Sequence, residues 1–247
     1  MHERFPTYIN LKTYLSSISD LSVITMGSNM KDLLKQILKG PRTALRRYYL
    51  MEQRASLFDE IFMRQDYYWL VKNAKPGTTV LDLGANLGDT AVYFAMFDKI
   101  KKVIAYEPVP MAYELAKNFI KQNPFRRKIL LYNKAVDSKR GKKIISESRP
   151  VDFGFSYNSS KDKSGVYVES ITLNDALKGL KKVVIKCDIE GAESTIFNNT
   201  DLSRVNAIEL EYHDNLKAVL DGLNDKGFEI IVSDASKKQG MLYAIRS

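Results

Sequence analysis

The segment Val80-Leu81-Asp82-Leu83-Gly84-Ala85-Asn86-Leu87-Gly88-Asp89-Thr90 constrains this chain more than any other. An apolar run ends in an acid and a glycine-rich turn. A helix-forming stretch follows, and then a second apolar run, Val103–Tyr106, ends at Glu107-Pro108. That order describes a βαβ unit whose strands deliver their carboxyl ends to one pocket. From Lys75-Pro76-Gly77 onward, strands and helices alternate. Strands are expected at 79–84, 102–106, 129–133, 182–187 and 206–211, and helices at 90–97, 111–122, 173–177, 192–197 and 215–223. Short continuous apolar strands suit a parallel sheet buried on both faces. Segments 228–232 and 241–245 are joined too tightly for a crossover helix, so they are expected to form an antiparallel edge hairpin. Three further short strands, at 142–146, 152–157 and 166–171, interrupt the alternation.

Residues 1–65 read differently. Apolar residues recur at helical spacing over 30–38, Gly40-Pro41 is a stop, and a second helical stretch covers 42–63. This gives an N-terminal helical extension (1–65), a cap over the pocket or a homodimer surface, followed by the α/β domain (66–247). Tyr48, Tyr49, Phe58, Ile61 and Phe62 are expected to pack rather than bind. The N-terminus has no secretory h-region and no apolar run approaches the ~20 residues of a membrane span, so a cytoplasmic protein is expected. The single cysteine, Cys187, falls on a buried strand and excludes an intrachain disulfide. With only His2 and His213, a His-built zinc site is not expected.

The turn indicates which nucleotide binds. A dinucleotide fold prefers G-x-G-x-x-G with a pyrophosphate over the helix N-terminus. Here Asn86 stands at the second glycine position, and Asp82 would place negative charge beside that pyrophosphate. An acid suits the cationic end of S-adenosylmethionine instead. Gly84 and Gly88 are expected to allow positive φ and close approach to the ligand. Backbone N–H groups near Asp89 and Thr90 face the methionyl carboxylate. Glu107 accepts both ribose hydroxyls, and Asn133 to Ala135 lie along the adenine edge.

A second constellation, Val183-Val184-Ile185-Lys186-Cys187-Asp188-Ile189-Glu190-Gly191-Ala192-Glu193, is another buried strand opening into an acidic turn. Ile208-Glu209-Leu210-Glu211-Tyr212-His213 ends a later strand with acids and the only internal histidine. Asp188, Glu190, Glu211 and His213 can face the methyl group. Glu193 can instead neutralise its helix N-terminus, and His213 can instead start a helix. With AYEP, NKAV and ITLNDAL between them, these motifs make the chain resemble the FkbM family of S-adenosylmethionine-dependent methyltransferases over roughly residues 66–213. The resemblance implies a Rossmann-like class I fold, with a mostly parallel seven-stranded sheet and an antiparallel C-terminal edge hairpin. It also implies O-methylation of a hydroxylated small molecule, sugar or lipid-linked acceptor. The family pattern carries over onto Asp82, Gly84, Asn86, Gly88 and Glu107 for cofactor binding and onto Asp188, Glu190 and Glu193 for the second motif, while position at the strand ends adds Ala85, Thr90, Asn133, Ala135 and Asp188 as cofactor contacts and Asp188, Glu190 and His213 as catalytic candidates. His213 or Asp188 would be the base, and Glu190 would orient the acceptor. Magnesium on Asp188, Glu190 and Glu211 is the less favoured reading; acids that are solvated or paired with Lys186 are favoured over it.

The net charge of +9 resides in one region: Lys117–Lys143 holds ten Lys/Arg against Asp137 alone. A solvated basic edge is the plain reading. An RNA methyltransferase using 117–143 is the alternative, although the Asn/Asp-Pro-Pro-aromatic motif that holds a base amine is absent. A non-catalytic ligand- or partner-binding protein that keeps the fold is the third reading.

Overall fold

The computed structural model describes residues 56–146 and 165–246, apart from 225, 234 and 236. The expected helix 30–38, Tyr48 and Tyr49, most of the helix 42–63, and the expected strand 152–157 lie outside the described residues.

Chain order after a π-helical turn at Asp59–Met63 is α1 (Tyr68–Lys72), β1 (Thr78–Leu83), α2 (Asp89–Ala95), β2 (Ile100–Tyr106), α3 (Pro110–Gln122) and β3 (Ile129–Tyr132). A small sheet follows, made of β4 (Ala135–Asp137), β5 (Gly141–Ser146) and β6 (Gly165–Thr172). Then come α4 (Leu173–Leu177), β7 (Val183–Cys187), α5 (Glu193–Ile196), β8 (Val205–His213), α6 (Leu216–Leu223), β9 (Glu229–Val232) and β10 (Gln239–Ile245). The main sheet has seven strands in the order β3-β2-β1-β7-β8-β10-β9. Its pairs are parallel from β3 through β8, and β10 runs antiparallel to both β8 and β9. The terminal hairpin forms as expected, with its second strand beside β8 and its first at the edge.

Alternation along the strands sorts the core into two layers. Val80, Val103, Val184 and Ala207 pack on one face with α2 and α1; Leu81, Ile104, Ile185 and Ile208 pack on the other with α4, α5 and α6. Phe58, Ile61 and Phe62 are buried in the first layer, where Phe62 meets Tyr93 edge-on at 5.7 Å. The packing role expected of these three is what the structure shows.

Local chemistry fixes the helix starts. Pro110 stands at the first position of α3. Thr172 and Asp175 form a reciprocal capping box at α4. Asn215, in left-handed conformation, caps α6 by accepting from the Ala218 N–H. His213 is therefore the last residue of β8 rather than a helix-start residue. The expected third strand stops at Tyr132, one residue early. Asn133 turns the chain there, its amide donating to the carbonyls of Glu107 and Pro108 at 2.9 Å each. Ala135 consequently begins β4, which pairs with β6 and belongs to the small sheet.

Candidate functional site

β1 lies between β2 and β7, and successive connections leave it in opposite directions, so the sheet order reverses at β1/β7. A crevice at the carboxyl ends of such strands is where open α/β sheets bind ligands. A cavity of about 770 Å³, open mouth included, occupies that place. Of the residues expected from sequence, Gly84, Asn86, Glu107, Ala135, Asp188 and Glu190 line it. A smaller cavity of about 350 Å³ shares Gly84, Asn86 and Asp188 with the first, and Ala85 and Thr90 also line it. Asp82, Gly88, Asn133 and His213 line neither cavity.

Asp82 is completely buried beneath the turn. It accepts a 2.6 Å hydrogen bond from the Thr90 hydroxyl, and its other oxygen lies 3.6 Å from the Lys186 ammonium. Its charge is thus met from inside the protein and reaches a ligand only through its neighbours. Lys186 also lies 3.6 Å from Asp188 and donates to the Gly84 carbonyl at 2.7 Å. Burial opposes a charge on this lysine, but Asp188 and Asp82 outweigh it and hold Lys186 protonated.

Gly84 and Gly88 have the expected positive φ, at +79° and +86°, yet the close approach they permit is internal. A Cβ on Gly84 would sit 1.7 Å from the Asp188 carbonyl oxygen, and one on Gly88 would press on Ala116 of α3 at 3.1 Å. The glycines let β1 meet the β7 turn and let α3 lie against α2. Asn86, at φ +46°, is a further left-handed residue in this turn.

Glu107 is buried, with one oxygen accepting from the Asn86 N–H at 2.7 Å and the other from the Val109 N–H at 2.8 Å. Burial raises its pKa to about 7 against those two bonds. Each carboxylate oxygen has a lone pair left over, and the residue faces the cavity, as a bidentate contact with a ribose requires. Among the described residues, the charged ones lining the large cavity are Glu107, Asp137, Asp188 and Glu190, all acids. Such a wall repels a pyrophosphate and suits a sulfonium, so the residues present fit S-adenosylmethionine. Val109, Asp137, Ile145 and Ile189 also line it and were not singled out from the sequence. The first two follow β2 and end β4, where a three-residue strand in a changing pattern left no periodic signal.

On the other side of the cavity, Glu193 is buried and accepts from the Ile189 and Gly191 N–H groups at 3.2 and 2.8 Å. It therefore closes the turn after β7 rather than only neutralising a helix end. Its Oε1 also lies 3.3 Å from His213 Nδ1. The other ring nitrogen, Nε2, is 3.5 Å from Glu190 and 4.0 Å from Glu211. The hydrogen bond to Glu193 raises the His213 pKa to about 9, against the effect of burial and with help from the charges of Glu193, Glu190 and Glu211. Glu190, in left-handed conformation at φ +55°, stands between His213 and the cavity, and burial pushes its carboxyl above the usual range.

Asp188, Glu211 and His213 bring one potential metal-ligand atom each within 4.8 Å of one another, so His213 takes the place that Glu190 held in the less favoured magnesium set. Lys186 already supplies a cation to Asp188, and Glu211 accepts from the Gln239 amide. Asp188 is thus paired with Lys186, the pairing named from sequence as the alternative to a metal.

Within the basic stretch, several cations are committed. Lys117, Lys134 and Lys143 pair with Glu114, Glu169 and Asp137, Arg140 pairs with Asp175, and Lys128 donates to the Phe97 carbonyl. No helix among the described residues is long and apolar enough to cross a membrane.

Comparison with known proteins agrees with this geometry. The chain matches the family model described as the methyltransferase FkbM domain over residues 82–230, more than half of its length. No curated protein matches its sequence. Among solved structures it is similar to an FkbM methyltransferase from Methylobacillus flagellatus KT, with 12% identity and a TM-score of 0.49 over 85% of this chain and 60% of that one. It is also similar to a precorrin-6y C5,15-methyltransferase from Geobacter metallireducens GS-15, with 15% identity and a TM-score of 0.43 over 72% and 85% of the two chains. TrmK of M. capricolum, solved with S-adenosylhomocysteine, gives 13% identity and 0.42 over 73% and 67%. Membership rests on the family match alone. The chain belongs to the FkbM family of S-adenosylmethionine-dependent methyltransferases.

Proposed function

We propose that the protein transfers a methyl group from S-adenosylmethionine to a hydroxyl oxygen of a small-molecule, sugar or lipid-linked acceptor. The observation that carries this reading is the all-acid wall of the large cavity, which ends on Asp188 and Glu190 beside His213. Glu107 takes the ribose hydroxyls. Asn133 acts one step back, by holding the carbonyls of Glu107 and Pro108. Asp82 and Thr90 brace the turn from below, and Gly84, Ala85, Asn86 and Gly88 shape it. Ala135 belongs to the adenine side.

The bound donor supplies an electrophilic methyl on a sulfonium. The protein must therefore align the acceptor and take its proton. His213, with a pKa of about 9, is a cation at neutral pH and stands outside the cavity. That makes it a poor resting base and a good partner for a carboxylate. The proton goes to Glu190, whose raised pKa and place on the cavity wall suit the task, while His213 holds Glu190 and Asp188 orients the acceptor. Relative to the expectation from sequence, Glu190 takes the base's role from His213 or Asp188, Asp188 takes over orientation of the acceptor, and His213 becomes the partner of Glu190. The RNA alternative is less well supported, since half of the ten basic residues are engaged with protein groups.

The test is transfer of a labelled methyl from S-adenosylmethionine to panels of hydroxylated metabolites, glycans, glycolipids and RNA. A methyl ether in the product, lost with Glu190→Gln, supports the reading. A methylated nitrogen or base, or labelled RNA alone, overturns it.

A further inference from the structure

The smaller cavity has an outer wall that does not come from the family-matched region. Leu57, Glu60, Ile61 and Tyr67 form that side, and Leu87, Asp89, Thr90 and Lys186 face them across it. The cavity opens from the same Gly84, Asn86 and Asp188 as the large one, so the two are arms of a single site. Glu107 assigns the large arm to the ribose and adenine. The other end of S-adenosylmethionine, an amino acid zwitterion, must then enter the small arm.

We propose that the segment Leu57–Tyr67 is part of the cofactor site, with the Tyr67 hydroxyl as its polar contact to the methionyl carboxylate. This inference rests on the S-adenosylmethionine reading above. Tyr67 is held in place by an edge-on contact with Phe94 at 6.0 Å, and Lys186 lies 5.9 Å from its ring centre. The chain reaches this position through Gln65, a non-glycine residue at φ +60°, whose carbonyl accepts from the Tyr68 N–H. Strained backbone of this kind persists only where surrounding packing enforces it. Buried Phe58, Ile61 and Phe62 supply that packing against α2. Tyr67 keeps its proton, because burial raises its pKa further above 10, so the hydroxyl is a permanent donor. Lys186 is already shared among Asp82, Asp188 and the Gly84 carbonyl. Glu60, Asp89 and Asp188 also line this arm and suit the ammonium of the zwitterion, so its carboxylate needs a donor beyond Lys186, and Tyr67 provides it.

The experiment is titration calorimetry on the full chain, wild type and Tyr67→Phe, with S-adenosylhomocysteine and with 5′-methylthioadenosine, which lacks the amino acid end. Phenylalanine keeps the ring contact with Phe94, and matching thermal melts verify folding. Loss of a hydrogen bond to a charged group should weaken S-adenosylhomocysteine by about tenfold and leave methylthioadenosine within twofold. Unchanged S-adenosylhomocysteine affinity overturns the proposal, as does equal weakening of both ligands, which would mark a purely structural tyrosine. If wild type binds neither ligand, the S-adenosylmethionine reading fails first and this inference falls with it.

Discussion

His213→Gln should change how stability depends on pH, and the structure sets the size of the effect. His213 sits 3.3 Å from buried Glu193 and 3.5 Å from Glu190, and its pKa rises from 6.5 to about 9. A basic group whose pKa is higher in the folded state contributes stability that is complete below the unfolded value. That contribution is lost as pH rises through the folded value. For His213 it is whole below 6.5 and gone above about 9. The shift corresponds to at most about 3 kcal/mol. The imidazole is half buried, so solvent screening should reduce this to about 1–2 kcal/mol. Two acids complicate a simple scan. Glu107 and Glu209 have pKa values raised to about 7 and about 8 by burial, so they too lose stability as pH rises through those values. Urea unfolding of wild type and His213→Gln from pH 6 to 10 separates the contributions, because both proteins share the acids. The difference in unfolding free energy should be largest at pH 6 and shrink by about 1–2 kcal/mol by pH 10. A difference that stays constant across the range would show that His213 gains no proton affinity on folding, and its assignment as the cationic partner of Glu190 would lose its basis.

Glu107 makes a second pH signature. Its ribose contact needs the carboxylate, and with a pKa of about 7 only about a tenth is ionised at pH 6. S-adenosylhomocysteine should therefore bind about tenfold more weakly at pH 6 than at pH 8, with the dependence absent in Glu107→Gln by calorimetry. Gly84→Ala must move the Asp188 carbonyl from a 1.7 Å clash and adopt φ +79°, so a loss of about 3 kcal/mol or more is expected in urea unfolding. Thr172→Ala removes the capping box of α4 and should lower stability by about 1 kcal/mol while leaving S-adenosylhomocysteine affinity unchanged. Because Lys186 already supplies the cation at Asp188, chelation should leave turnover within twofold; a loss restored by magnesium would contradict that arrangement.

The parallel sheet was legible because its signals are local. Short apolar runs in β1, β2 and β7 each lead into a polar turn, and the residues of those turns reach one crevice because parallel strands end on the same side. The small sheet was only half legible. β5 and β6 carry β-branched runs bounded by glycine, but β4 has three residues and its pairing with β6 spans a long sequence separation. Side-chain roles were harder to foresee than positions. Asp82 and Glu193 stand where the motifs put them, yet each also has a charged neighbour from a different strand, Lys186 and His213, that the motifs do not specify. The second arm of the site depends on Tyr67, whose ring contact with Phe94 and approach to Lys186 are set by tertiary packing. No periodicity encodes them.

One lysine inside an apolar strand explains several of these arrangements at once. Asp82 on β1, Lys186 on β7, Glu209 on β8 and Tyr243 on β10 are direct neighbours in register, forming a polar row across four strands on one face of the sheet. Asp82, Lys186 and Glu209 are almost completely buried. A buried ammonium is tolerated only with partners, and an unpaired buried carboxylate is pushed toward its neutral form. Lys186 meets the first condition through Asp82, Asp188 and the Gly84 carbonyl. Glu209 illustrates the second: burial outweighs the charge of Lys186 and the Leu70 backbone N–H, and its pKa rises to about 8. The lysine's bond to the Gly84 carbonyl ties this row to the cofactor turn. Replacing Lys186 with methionine would keep much of the volume but leave Asp82 buried with only the Thr90 hydroxyl. The turn should then loosen at the point where both arms of the site meet. That coupling between a buried charge row and the ligand-binding backbone is why a lysine belongs in a strand that is otherwise apolar.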